Sequence, residues 1–417
     1  MDSPLNKKLK NVKWGEFKLG DLFEIVGTKS LDSNAIEFTK TGINFIGRTF
    51  ENNGIQGKTQ KREFEPNEPF TITATVIGNY KYVKYQKEPY YCSQNINKLT
   101  PKEIINQWSE NIAYFFIANI QRFVSLYDGQ QGGYKLDDIN NHKIQLPIKE
   151  KSSDFSNPCD TLKTIDFDFM ESFIRELVEE RIRELNAYLL ATGLKDYTLT
   201  SEEENALEAF KTIQWDNYRI GDLFEKINTK KLPYKAADLP TTPTNEYLLP
   251  CLTSSFHNQG LNYYAPKENA TILKNVISIP SNSDVYRAYF QSRDFTVLSD
   301  AYAIKKKNSE IDFSPQHYLF CVMCINKVTD LPLYSYKTKL GGWNVVQDKI
   351  FQLPTKDGKP DYATMGTFIK AVEKLVIKDV VLYADSKIEA TKNVVKKDVE
   401  YKINEEKYLL HVAQEEK

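Results

Sequence analysis

A chain of 417 residues, 41% hydrophobic and 27% charged, carries enough apolar material for two or three ordinary cores. It has no apolar run of the ~18 residues that span a bilayer, and its polar, lysine-rich start lacks a secretory signal region. Its five scattered cysteines are unlike a disulfide framework, so a reducing cytoplasm is expected.

The net charge of -1 gives no global bias toward nucleic acid, but it is segregated along the chain. Residues 1–165 carry 22 bases against 19 acids, 166–212 carry 5 against 12, 213–360 carry 18 against 14, and 361–417 carry 10 against 11. Two mildly basic globular parts therefore alternate with acidic or neutral ones, and these four spans are the expected domains. The pattern is compatible with nucleic-acid binding and is weak evidence for it alone.

The first element is Trp14-Gly-Glu-Phe-Lys-Leu-Gly-Asp-Leu-Phe-Glu-Ile25, which recurs as Trp215-Asp-Asn-Tyr-Arg-Ile-Gly-Asp-Leu-Phe-Glu-Lys-Ile227. A self-match that holds Trp and Gly marks a tandem duplication. Its aromatic and leucine set around Gly-Asp reads as a strand-turn-helix entry to a core, not as a ligand contact. Short strands follow at Ile43–Ile46, Phe70–Ile77 and Tyr80–Tyr85, with Asn53-Gly54, Gly57 and Gly78-Asn79 as turns. Ile112–Val124 is apolar nearly all round and predicts a buried helix holding Arg122; Gly129–Tyr134 predicts a flexible polar loop. From Asp166 the period changes to helical, with Met170, Phe173, Ile174, Leu177, Val178, Ile182, Leu185 and Leu189 on one stripe and Gly193 as C-cap. Ser201-Glu-Glu-Glu204 predicts a capping box opening a short helix through Phe210.

The second unit repeats the order. Phe50–Ile55 returns as Phe256–Leu261, Tyr114–Ile117 as Tyr318–Cys321, Gly132-Gly-Tyr134 with Gln145-Leu-Pro147 as Gly341-Gly-Trp343 with Gln352-Leu-Pro354. Asp166–Arg175 returns as Asp361–Lys370, followed by a helix to about Val395 and a charged tail, Lys396 to Lys417. The shared Met-x-x-Phe-Ile of the two helices favours their packing on each other. A period of about 200 residues is far longer than that of a solenoid.

Catalytic constellations are not found. His142, His257, His317 and His411 have no metal or catalytic spacing, and Cys321-Val-Met-Cys324 is a single CxxC in an apolar run, which reads as core cysteine. Gly129–Gly133 lacks the lysine of a phosphate loop. Asn157-Pro-Cys159 matches the Asn-Pro-Pro-aromatic motif of amino-methyltransferases only superficially. No catalysis, metal or cofactor is expected.

The combination of a Trp…Gly-Asp-Leu-Phe start, Gly-Gly-aromatic and Leu-Pro closes, and a long helix after each unit resembles the S (DNA-specificity) subunit of type I restriction-modification systems over nearly the full length. The resemblance implies an α+β chain with two target recognition domains, 1–165 and 213–360, and long helices in 166–212 and 361–417 that form an antiparallel coiled coil. It implies as partners double-stranded DNA, two methyltransferase (modification) subunits and a restriction (endonuclease/translocase) subunit. The charged tail departs from the pattern, and a related two-gene type IIB enzyme fits as well. A non-DNA interaction scaffold with a coiled-coil hinge is the rival reading, and a catalytic subunit with a diverged active site a second.

Reading base edges takes side-chain amides and bidentate arginines. In the first unit the polar, aromatic-rich loops offer Arg48, Asn52, Asn53, Gln56, Lys58, Arg62, Asn79, Tyr80, Lys81, Tyr82, Gln130 and Tyr134. In the second they offer Ser255, His257, Asn258, Gln259, Asn282, Tyr286, Arg287, Arg293, Lys337, Lys339 and Trp343. Arginine is scarce, nine residues against 46 lysines, and Arg48, Arg62, Arg287 and Arg293 are the expected guanine readers. Each such loop is equally well read as a solvated turn.

Overall fold

The two strongest repeats in the sequence, the tryptophan motif and the Leu-Pro motif, are the two strands of one ladder. Lys13–Lys18 pairs antiparallel with Lys143–Ile148, setting Trp14 opposite Pro147. Trp215–Arg219 pairs with Ile350–Lys356 in the same way, setting Trp215 opposite Pro354. The computed structural model describes residues 3–149, 162–307 and 312–415, with side chains there except at 130, 131 and 393–415. It divides into two compact units, Met1–Leu185 and Asn186–Lys417. Asn157-Pro-Cys159 lies outside the described residues.

After each tryptophan strand the Gly-Asp-Leu segment makes one helical turn, Leu19–Leu22 or Ile220–Leu223, and passes directly into a strand, Phe23–Gly27 or Phe224–Lys226. The motif is thus strand, helical turn, strand, and not the expected strand-turn-helix, because the turn sets Phe23 and Phe224 at the start of an edge strand from which each ring enters the core of its unit. Burying each contributes about 1.5–3 kcal/mol, and both are 1% exposed or less. The glycine is fixed by close approach. A Cβ on Gly20 would stand 2.9 Å from the Asn140 carbonyl oxygen, and one on Gly221 2.9 Å from that of Gln347. Lys102 and Lys307 each donate an ammonium proton to the carbonyl of that same glycine.

In the first unit the central antiparallel sheet runs in the order Phe23–Gly27, Ile96–Pro101, Thr71–Thr75, Val83–Gln86. The second unit repeats it with Phe224–Lys226, Ala301–Lys306, Val276–Pro280 and Tyr289–Gln291. A second, mixed sheet in each unit contains a parallel pair, Ile43–Ile46 with Tyr90–Ser93 and Leu249–Leu252 with Thr296–Val297. Phe70 stands outside the expected Phe70–Ile77 strand, at φ +60°, and the strand breaks into Thr71–Thr75 and Ile77–Gly78. Tyr80–Tyr82 is likewise not strand; pairing begins at Val83. Gly129–Gly133, expected as a loop, is a short strand against Ile77–Gly78.

Helix Glu110–Ser125 buries Ile112, Ala113, Phe115, Phe116, Ile120, Phe123 and Val124. Its counterpart is Pro315–Thr329. The sequence pairing of Tyr114 with Tyr318 is corrected by one residue. The helices begin after Ser109 and Ser314, and Trp14 stacks on Phe115 as Trp215 stacks on Phe320, with centroids 6.4 and 6.2 Å apart. Gln121 and Asn326 agree with that register. Each amide accepts from and donates to the backbone where the chain enters the outer strand, at Val83 and Lys81 in one unit and at Ala288 in the other. Local identity of aromatics misled the alignment; what recurs is the face turned to the tryptophan. Arg122, placed by the sequence in that buried helix, lies on its exposed face.

The long helices are Phe167–Ala191, 25 residues or about 38 Å, and Tyr362–Glu415, 54 residues or about 80 Å. Asp166 and Asp361 cap them identically, accepting from the N–H of Phe169 and of Thr364. Gly193, at φ +72°, follows the first as expected. The second helix continues through the span read as a charged tail. The shared Met-x-x-Phe-Ile serves each helix's own unit: Met170, Phe173 and Ile174 belong to the first core, and Met365 and Ile369 to the second with Phe368 packed against them. That recurrence therefore does not argue for helix pairing. The short helix Ser201–Ala209 is capped one residue earlier than expected, by Thr200 and Glu203.

Candidate nucleic-acid interface

In the first unit the loop after Ile43–Ile46 passes through Asn52, Asn53 and Gly54 at φ +45°, +53° and +82°. In the second, Asn258, Gln259 and Gly260 sit at +47°, +55° and +89°. Left-handed backbone costs a residue with a Cβ about 1–2 kcal/mol, so such a loop persists only where its surroundings hold it. They do so in the same way twice. The Gln86 amide donates to Thr73 Oγ1 and to the Asn53 carbonyl, at 3.0 and 3.4 Å. The Gln291 amide donates to Ser278 Oγ and to the Gln259 carbonyl, at 2.9 and 3.1 Å. Lys84 Nζ donates to the Phe50 carbonyl at 2.6 Å, and Tyr289 OH to that of Phe256 at 3.0 Å.

Several candidate readers serve this architecture. Asn52 and Asn258 donate their amides to the carbonyls of Ile55 and Leu261, and Asn53 to that of Tyr85. Their side-chain nitrogens are thus occupied in holding the loop. Ser255 Oγ accepts from the His257 N–H, which fixes the entry of the second loop.

Beside the first loop, residues far apart in sequence converge. Arg48, Gln56 and Asn79 line one polar cleft of about 570 Å³ with Asp32, Asn34, Ser93 and Gln94 among its other walls. Gly47 makes room for Gln56: a Cβ there would stand 2.2 Å from the Gln56 Cδ. The Arg48 guanidinium reaches the Ile77 carbonyl at 3.3 Å and is otherwise exposed. Tyr80 is exposed, Tyr82 half-buried against Phe50, and Lys58 half-buried. A donor fork, amides and hydroxyls in one concavity are the chemistry that reads base edges.

Other candidates lie elsewhere. Lys81 is 1% exposed, its ammonium held by the Gly78 and Tyr127 carbonyls, and Tyr134 is buried in the first core. Arg62 turns inward, donating to Thr59 Oγ1 at 2.7 Å. Gln130 lies outside the described side chains. In the second unit Tyr286 is buried, and the Arg287 Nε donates to Asp330 at 2.7 Å. Asn282 and Trp343 are half-buried, and the Asn282 side-chain oxygen is buried without a hydrogen-bond partner. Lys337 and Lys339 are exposed on a loop whose Tyr336 N–H donates to Asp284, with the Lys339 ammonium 4.7 Å from the Tyr336 ring centroid. Arg293 is exposed and, among the described residues, makes no hydrogen bond or ion pair. The pattern reading missed Asp32, Asn34, Ser93 and Gln94, because only the sheet brings them to the cleft. It also passed over Phe50, Phe256 and Lys84, although the two phenylalanines open a repeat visible in the sequence.

The buried thiols offer no reactive alternative: burial pushes Cys92, Cys251 and Cys324 up to about 12. Among the described residues no group of three His, Cys, Asp or Glu is placed to hold a metal ion.

The model of the type I restriction modification DNA specificity domain matches this chain twice, over residues 11–187 and 212–378. The chain belongs to that family. It is a DNA-specificity subunit of a restriction-modification system with two recognition units, the member that selects DNA and not the catalyst. The chain is 22% identical over 370 residues to the type II restriction enzyme BgcI specificity subunit S.BcgI of Heyndrickxia coagulans, covering 88% of this chain and 96% of that one. Among solved structures, the type I S subunit from M. genitalium matches with a TM-score of 0.49 and 14% identity over 92% of this chain and 94% of that one. The HsdS subunit from Thermoanaerobacter tengcongensis matches with a TM-score of 0.28 and 10% identity over 90% and 91%. No described helix of this specificity subunit is long and apolar enough to cross a membrane.

Proposed function

We infer that each unit reads one half of a split double-stranded DNA target. The observation that carries this reading is the doubled DNA-specificity match together with the doubled left-handed loop, held by a glutamine amide in each unit, beside the Arg48 cleft and at Phe256. The long helices pair as an antiparallel coiled coil that separates the readers, and two methyltransferase subunits dock on it, with a restriction subunit joining the assembly. Exposed Leu375, Val376, Leu382 and Tyr383 on the second helix support a role for it in such contacts. The assembly works in the cytoplasm, where the buried, unpaired thiols stay reduced.

The direct contacts come from Arg48, Gln56, Asn79 and Tyr80 in the first unit and from His257, Gln259, Arg293, Lys337 and Lys339 in the second. Selection of bound duplexes from a random library, by the full chain co-expressed with its methyltransferase, tests the reading. The expected result is two short specific blocks separated by a non-specific spacer, with affinity falling steeply as salt rises. A single continuous block, or no enrichment, would overturn it.

A further inference from the structure

We propose that Phe50 and Phe256 are a matched pair of stacking wedges, one for each half of the target, each pressing its ring against a base step. The proposal rests on the reading of this chain as a two-unit DNA reader. Both rings stand at the same place in the duplicated loop and both are left in solvent, 69% and 42% exposed. Phe23 and Phe224, which belong to the cores of the two units, are by contrast buried. The loop that carries each ring is not a slack turn. It runs through consecutive left-handed residues and is tied down by Gln86 and Lys84 in one unit and by Gln291 and Tyr289 in the other. A rigid mount for an exposed ring makes sense where the ring must meet something in a fixed place.

What it meets is indicated by its surroundings. Each phenylalanine has a second ring beside it, Tyr82 at 5.8 Å and His257 at 4.2 Å between centroids. The Lys84 ammonium lies 5.2 Å from the Phe50 ring centroid, and Arg48 is two residues away on the same loop. The flanks are amides and hydroxyls, Asn52, Asn53, Ser255 and Gln259, not the aliphatic surface that a protein partner would cover. In the first unit a ring pair with an adjacent cation matches a nucleobase face and its phosphate; in the second the ring pair with its polar neighbours matches a nucleobase face. Apolar side chains that enter a base step unstack it, and flexible pyrimidine-purine steps yield most readily. The wedges therefore select deformable steps at positions where no hydrogen bond is made.

The test uses the full chain co-expressed with its methyltransferase and the duplex selected from a random library, with 2-aminopurine placed at each step in turn. The expected outcome is a fluorescence rise at one step in each half. Phe50→Ala should abolish the rise in one half only and raise Kd about tenfold, as loss of one base-aromatic stack does; Phe256→Ala should do the same in the other half. Phe50→Trp should keep the signal, and the slope of affinity against salt should stay unchanged in all variants. Ala variants that keep both the signal and the affinity would overturn the proposal. Loss of the methyltransferase from the Ala variants, with the signal intact, would also overturn it by assigning the rings to a protein contact. Failure of the unaltered chain to enrich any duplex would reject the underlying DNA reading, and the wedges with it.

Discussion

Arginines that look alike in the sequence separate once their partners are known. Arg48 lines an open polar cleft, whereas Arg62 is turned onto buried Thr59 and Arg287 is engaged by Asp330. Arg48→Ala should therefore relax one base position at a cost of about 1–3 kcal/mol of discrimination, whereas Arg62→Ala should lower the melting temperature and leave the selected sequence unchanged. Sequencing the duplexes each variant enriches separates the two outcomes. Gly20→Ala and Gly221→Ala should each destabilise by about 1–3 kcal/mol, since the new methyl meets a backbone carbonyl that cannot retreat; denaturant titration reads this directly. The histidines give a pH dependence. Burial lowers the pKa of His142 and of His317 below the ordinary 6.5. In His317, Nδ1 accepts from the Ser314 N–H and Nε2 donates to the Tyr362 carbonyl, so protonating Nδ1 breaks the first of these bonds and leaves only the Ser314 hydroxyl, 3.1 Å away, to accept. The unfolded chain then binds more protons than the folded one, and the contribution to stability is full above about 6.5 and lost as pH falls through the lowered value. Calorimetry should show the melting temperature of the chain dropping from pH 7 to pH 5, less steeply in His317→Gln. An unchanged slope in that variant would show that other groups carry the effect.

At the scale of elements, what the sequence revealed depended on where the determining contacts lie. The tryptophan strand, the buried helix and the long helices were legible, because their signals, a repeated motif, an apolar run and a 3.6-residue period, are local; that the Leu-Pro segment is the partner strand of the tryptophan motif was not, since the two lie more than 120 residues apart. The helix register was not, since it is fixed by Trp14 on Phe115 and Trp215 on Phe320, contacts between distant segments. The Arg48 cleft was half legible for the same reason: its loops were recognisable as polar, but only the sheet joins residues 32, 48, 79 and 93. Lys81 looked like a solvent-facing loop lysine and is buried because Asp128 accepts its backbone N–H and pulls the segment in. The first half of the helical stripe, Met170 to Ile174, is consumed by the first core, with Leu177 packed on that core. The proposed docking surface is better probed at Val376, 72% exposed on the second helix. Val376→Asp should change the folding stability by no more than about 0.5 kcal/mol and release the methyltransferase on co-purification. The ruler role of the first helix has its own test. Four residues inserted after Ile182 add about 6 Å of helix and should lengthen the preferred spacer by roughly 2 bp at about 3.4 Å per step. A spacer that does not move would remove the helix as the ruler.

For the molecule as a whole, a net charge of -1 conceals basic globular spans and an acidic span around the first long helix. That division concentrates phosphate attraction on the readers. The ladder that begins and ends each unit has a further consequence. Trp14 lies opposite Pro147 and Trp215 opposite Pro354, so the polypeptide enters and leaves each reader through two adjacent strands, as through a single doorway. The sequence between the doorposts can be exchanged for another, provided that the two strands still pair and the new segment still packs against the tryptophan and the start of the long helix. Such a chain can acquire a new half-target by recombination within one unit while the other keeps its own. Its repertoire then grows as the product of the available halves, where a single undivided reader would have to change base by base.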